Sequence, residues 1–179
     1  MKKIKNAIVL AIVVIVSSCS STQSLQEYYI DNTENPNFLH LDIPTSILNI
    51  KEAELSQEQQ TALASLKKLN ILAFKKTENN AEEYKLEKKQ VKAILSADSY
   101  TELMKMNTDF GRATIKYLGE DDAIDEVIIY GDNKDKGFAL IRVLGNNMNP
   151  AHFIQLLQAI QKSDYKGEGL GEIRDLFKG

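Results

Sequence analysis

Cys19 is the one cysteine of the 179-residue chain, and its surroundings suit one reaction. Val16-Ser17-Ser18-Cys19 places an aliphatic residue and two small residues before a thiol. That order resembles the lipobox of bacterial lipoproteins. The Cys19 thiol there becomes a thioether to diacylglycerol, the small side chains fit a signal peptidase, and the freed amine is acylated. With its only thiol consumed, the chain has none left for nucleophilic catalysis, metal binding or an intramolecular disulfide.

Other candidate groups are weaker. His40 and Asp42, two apart on a strand, would share a face and pair as a base with its orienter, the core of a hydrolase reading. No Ser stands in a Gly-x-Ser-x-Gly setting to complete it. His152 has Gln155 and Leu156 where a zinc partner three or four residues on would be needed, so it reads as a surface histidine. Glu120-Asp121-Asp122 with Asp125-Glu126 offers oxygen ligands, but not at calcium-loop spacing. In Asp132-x-Lys134-x-Lys136-Gly137, lysines take the ligand positions. Both stretches read as solvated hairpin turns. Gly167-Glu168-Gly169-Leu170-Gly171 lacks the Lys-Ser/Thr of a phosphate loop and does not follow a strand. No catalytic residue, metal ligand or cofactor site is assigned.

The elements around these residues start with an N-terminal leader. Lys2, Lys3 and Lys5 precede the apolar run from Ala7 to Val16. A membrane-spanning helix needs roughly 20 apolar residues, so this shorter run fits a signal-peptide core. Residues 1–18 are thus expected to be a lipoprotein signal peptide. An ordinary cleaved signal and an uncleaved inner-membrane anchor are the alternatives. Removing three lysines from the 22 Lys and Arg leaves 19 against 25 Asp and Glu, a net charge of −6. An acidic chain with no Trp and no basic cluster argues against nucleic-acid binding. The absence of Asp after Cys19 and of an acidic run favours the outer membrane, facing the periplasm. The inner membrane and the cell surface are the alternatives.

Residues 19–37 read as lipidated Cys, tether and a short helix opened by the capping box Ser24…Glu27. Residues 38–165 read as one α+β domain. Phe38–Ile43 alternates as a strand and Pro44 stops it. Thr45 is expected to cap a short helix through Leu48 and Ile50. Ser56…Gln59 is a second capping box, with Ala62, Leu63, Leu66 and Leu69 at helical spacing. Ile71–Phe74 reads as a buried strand and Glu82–Leu95 as a charged helix with Tyr84, Val91, Ile94 and Leu95 inward. Four strand-like runs follow, at Tyr100–Met106, Arg112–Leu118, Ile124–Tyr130 and Phe138–Leu144. Their short polar connections favour a β-meander. Asn149 caps a last helix with Pro150 at its first position. Residues 166–179 form a Gly-rich tail with a short helix near Ile173–Phe177.

The expected architecture is a largely antiparallel sheet with a meander in the C-terminal half and helices packed on one face. Val127–Tyr130 is apolar on both sides, so part of the other face is expected to be covered, by early helices or a partner, or used for binding.

The pattern resembles a family of small bacterial envelope lipoproteins catalogued as domain of unknown function forty-two fifty-two. The resemblance rests on Cys19, Tyr28-Tyr29, the strand ending Ile43-Pro44, the Leu69–Phe74 strand, the Tyr100–Met106 segment around Glu102-Leu103-Met104, and the late hairpins. It brings no site residues and implies an accessory envelope protein linked to envelope regulation. The expected function is therefore a lipid-anchored, non-enzymatic protein that binds another envelope component. A carrier of a small apolar ligand is the alternative, with a cavity lined by residues such as Leu41, Phe74, Ile128 and Phe153. A hydrolase using His40 is the third reading.

Overall fold

The fold is described from a computed structural model covering residues 23–47, 54–108, 111–120 and 123–162. Residues 1–18, read from sequence as a signal peptide, lie outside the described residues, as do Cys19, Leu48, Ile50, Asp121, Asp122 and the Gly-rich tail.

Local sequence chemistry starts each helix. Helix α1 (Leu25–Asp31) opens with a reciprocal capping box. The Glu27 N–H donates to Ser24 Oγ, and the Ser24 N–H donates to the Glu27 carboxylate at 2.7 Å. Two N–H groups that a helix start leaves orphaned are thereby satisfied. Strand β1 (Phe38–Pro44) and a single 3-10 turn (Thr45–Ile47) follow. Helix α2 (Gln57–Ser65) repeats the capping box with Ser56 and Gln59, and strand β2 (Leu66–Lys75) leaves it directly. Helix α3 (Ala81–Leu95) has Glu82 and Glu83 in its first turn and Lys92 in its last, which suits the helix dipole. Strands β3 (Thr101–Asn107), β4 (Arg112–Glu120), β5 (Ala123–Asn133) and β6 (Gly137–Met148) precede helix α4 (Pro150–Lys162). The Asn149 side chain caps α4 by accepting from the His152 N–H at 3.1 Å.

The six strands form one sheet, with every described pairing antiparallel, in the order β1-β2-β6-β5-β4-β3. The expected meander is β3 to β6. Strand β6 is inserted between β5 and β2, which leaves β1 and β3 as the outer strands of the described sheet. The β5–β6 turn depends on glycine. Gly137 has φ +125°, and a Cβ there would stand 1.9 Å from the Phe74 carbonyl oxygen.

Helices lie on both sides of this sheet. The first face buries Leu72, Phe74, Ile128, Tyr130, Phe138 and Leu140 against α1 (Leu25, Tyr28, Tyr29) and α3 (Tyr84, Val91, Ile94, Leu95). The second face packs Ile43, Leu69, Ile71, Ile115, Tyr117, Val127 and Val143 with Phe153 of α4, and α4 is bridged to α2 by Gln59 and Gln155. The expectation of helices on one face therefore holds for α1 and α3 alone. The reason is in the strands: β2, β5 and β6 are apolar on both sides, and exposing either face would forfeit about 1.5–3 kcal/mol per large side chain.

Two boundaries also move. Leu66 and Leu69 continue the helical spacing of α2 on paper but belong to β2, because strand pairing to β1 and β6 claims them. Helix α1, expected as a short helix ahead of the 38–165 domain, packs into it: Leu25, Tyr28 and Tyr29 are buried in the first-face core.

Candidate functional site

The chemistry-bearing side chains converge on one end of the first face. Strand register lines up Asp42, Asn70, Arg142, Ile128, Lys116 and Glu102 across the six strands, a polar row in an otherwise apolar layer. Glu126 sits diagonal to Arg142 on the neighbouring strand, within reach of a long side chain. Both are buried, at 9% and 7% exposure. Arg142 Nε donates to Glu126 Oε1 at 2.6 Å and Nη2 donates to Oε2 at 2.8 Å, a bidentate pair. Arg142 Nη1 donates to Gln26 of α1, and the guanidinium stacks over the Tyr29 ring at 5.3 Å. Burial opposes the charge on Arg142, but the Glu126 hydrogen bonds and charge outweigh it and hold the group above the ordinary arginine range.

Tyr29 completes the anchor. Its hydroxyl lies 2.6 Å from the Leu140 carbonyl oxygen and 3.1 Å from that of Asn70. Burial keeps this phenol far above its usual pKa, so it stays a neutral donor. The arginine thus has its fork occupied by Glu126 and Gln26. The arrangement fastens α1 onto the sheet and orders the layer above it. It does not present a free cation to a ligand.

Next to this network, His40 and Asp42 do share the first face, as their spacing predicts, with His40 Nε2 3.7 Å from Asp42 Oδ1. Asp42 is already engaged: Lys68 Nζ donates to Oδ2 at 2.6 Å and Asn70 donates to Oδ1. Burial alone would raise the Asp42 carboxyl. The Lys68 and Asn70 bonds, with the Lys68 charge, bring it below the ordinary carboxylate range. A carboxylate so stabilised orients its neighbours well but is a poor proton acceptor. His152 is half-buried at the start of α4, on the far side of the sheet.

The second polar station lies at the opposite end of the first face. Tyr84 donates to Asp132 Oδ1 at 2.8 Å, Lys88 pairs with Asp132 Oδ2 at 2.6 Å, and Lys76 and Lys88 flank the Tyr84 ring. Asp132 is therefore a structural acceptor, and the turn after it is closed by Asn133 Oδ1, which accepts from the Asp135 and Lys136 N–H groups. Glu126, read from sequence as part of a solvated acidic turn, is instead the buried partner of Arg142. Alternation along β5 places Glu126 on the same side as Ile128 and Tyr130, which face the first core. No group of three or more His, Cys, Asp or Glu among the described residues is placed to hold a metal ion.

The four residues expected to line one apolar cavity are divided by the sheet. Leu41 and Phe153 belong to the second face, while Phe74 and Ile128 are buried in the first. A single cavity lined by all four does not form.

A family model described as Domain of unknown function (DUF4252) matches residues 28–156, well over half of the chain. The chain belongs to this family. The match begins at Tyr28 and takes in all six strands, so the DUF4252 unit includes the second half of α1 and most of the Arg142 network. Among curated proteins and among solved structures, nothing matches the chain. No helix of the described residues is long and apolar enough to cross a membrane.

Proposed function

We propose that this DUF4252 protein is a lipid-anchored, non-enzymatic binding protein of the bacterial cell envelope. The observation that carries the reading is Cys19, the sole thiol of the chain, set immediately after a short apolar run and two small residues. Several acyl chains on Cys19 would give durable anchoring, at about 0.8 kcal/mol per buried CH₂. The anchor faces the periplasm from the outer membrane, and the partner is another envelope protein. The state of the polar groups supports a binding role over catalysis. Arg142, Glu126, Asp42, Asp132 and Lys88 are each committed to intramolecular partners. On the outer strand β3, Leu103, Met104 and Met106 stay only partly buried. Flexible methionine side chains adapt well to an apolar partner surface.

The test is in-cell cross-linking of wild type, Cys19→Ser and Met104→Glu. Wild type gives a discrete cross-linked partner. Both variants lose it, Cys19→Ser through release from the membrane and Met104→Glu with the anchor retained. Full complementation of a deletion by Cys19→Ser would show that the anchor is dispensable and end this reading.

A further inference from the structure

The described residues hold two strongly exposed large apolar side chains, Ile30 at 62% and Leu86 at 67%. They lie on α1 and α3, the two helices of the first face. These helices run side by side: Tyr28 donates to Glu87, and Asn35 and Asn37 donate to Glu83. The outward side of α3 also carries Lys85, Lys89 and Lys92, all exposed, in a protein whose mature charge is negative. Its one exposed acid in that stretch, Glu82, is paired with Lys85.

The first described residue, Gln23, lies on this same side. Gln23 accepts from the exposed Gln90 of α3 and donates to the exposed Asp31 of α1, so residue 23 lies over the outward surface of the helix pair. Four peptide steps connect Gln23 to Cys19. Fully extended, they span about 14 Å, which is shorter than the roughly 20 Å length of a six-residue strand.

We propose that the outward side of α1 and α3 is a bilayer-contact surface. Ile30 and Leu86 enter the interfacial region, and Lys89 and Lys92 meet anionic phospholipid headgroups. The proposal rests on the acylation of Cys19. The short tether then holds this surface against the lipid and points the second face, with β3, towards the periplasm. Glu27 and Asp31 of α1 sit on the same side and confine the insertion to its apolar side chains.

The chain contains no Trp, so an introduced one reports alone. Full-length protein with Ile30→Trp, Leu86→Trp or, on the far helix α2, Thr61→Trp is purified from membranes. It is then reconstituted into phosphatidylethanolamine–phosphatidylglycerol vesicles containing brominated acyl chains, with intact mass measured on each sample. Expected is an acylated Cys19, with quenching of Ile30→Trp and Leu86→Trp about threefold above that of Thr61→Trp. Adding Lys89→Glu and Lys92→Glu lowers the quenching of Leu86→Trp by about half. Acylated protein in which all three reporters quench equally overturns the surface and leaves the anchor standing. A Leu86→Trp blue shift in native membranes without bromine quenching identifies a protein cover and overturns the bilayer assignment. An unacylated mass removes the anchor reading, and unquenched reporters in that sample remove the surface with it.

Discussion

The two faces of the sheet are held by different physics. The first face is aromatic and polar. Phe74 stacks on Phe138 at 5.6 Å, Phe38 meets both edge-on, and Tyr28, Tyr29 and Tyr84 each pair their hydroxyl with a named acceptor. The second face is mainly aliphatic, with Tyr117 and Phe153 as its aromatic members. One register row reads Leu41, Ile71, Ile141, Ile129, Ile115 and Met104 across all six strands. Directional bonds tie α1 and α3 to the sheet, whereas α4 rests on it through apolar side chains such as Phe153. A protein that needs one rigid side and one adaptable side would divide its residues in this way.

The sharpest break of that contrast comes from paired truncations. Phe138→Ala opens the centre of the aromatic layer and should cost about 3–5 kcal/mol. Ile129→Ala, half-buried on the second face, should cost about 2 kcal/mol or less. Urea unfolding measures both, and equal losses would mean that the two faces are equally tight. The buried ion pair gives the next effect. Glu126→Leu leaves Arg142 without its carboxylate and should cost about 3–5 kcal/mol, while Glu126→Leu with Arg142→Met should recover most of that loss. A double variant as weak as the single one would show that the pair, and not the burial, holds α1.

Alkaline titration gives the smallest effect per side chain and reads Tyr28, Tyr29 and Tyr130 of the first face. Burial and, for Tyr28, the Glu87 hydrogen bond and charge raise the folded pKa of Tyr28, Tyr29 and Tyr130 above the unfolded value near 10. A raised folded pKa means that stability is complete below pH 10 and is lost as pH rises, because only the unfolded chain releases the protons. Each buried phenol contributes up to about 1.4 kcal/mol per pH unit above 10. Chemical denaturation at pH 9, 10 and 11 should show the decline. Tyr130 Oη, at 7% residue exposure, finds no hydrogen-bond partner. Tyr130→Phe should therefore be neutral or slightly stabilising at pH 7 and should reduce the alkaline slope.

Much of this frame is legible in the sequence, for reasons that are local. The caps at Ser24, Ser56 and Asn149 announce themselves because donor and acceptor lie within three residues. The meander follows from short polar turns. What escapes is set by register. Arg142 and Glu126 stand 16 positions apart, and only the pairing of β5 with β6 makes them diagonal neighbours. The same holds for Leu66 and Leu69, whose helical spacing is overridden by the strands on either side. For the site, the first-face position of His40 and Asp42 could be anticipated, but the engagement of Asp42 by Lys68 and Asn70 could not.

The strand order also dictates a sequence of events in time. The last described strand to be made sits in the middle: β6 fills the gap between β2 and β5. On a chain that emerges N-terminus first, β2 has no inner neighbour until Gly137 and the residues after it arrive. The β1–β2 pair must therefore wait for some 60 further residues to emerge, from Lys75 to Gly137. During that interval Ile71, Leu72 and Phe74 lack their β6 neighbours, and contacts so distant along the chain close slowly. A chain made in this order is a client for holding chaperones before it becomes a folded domain.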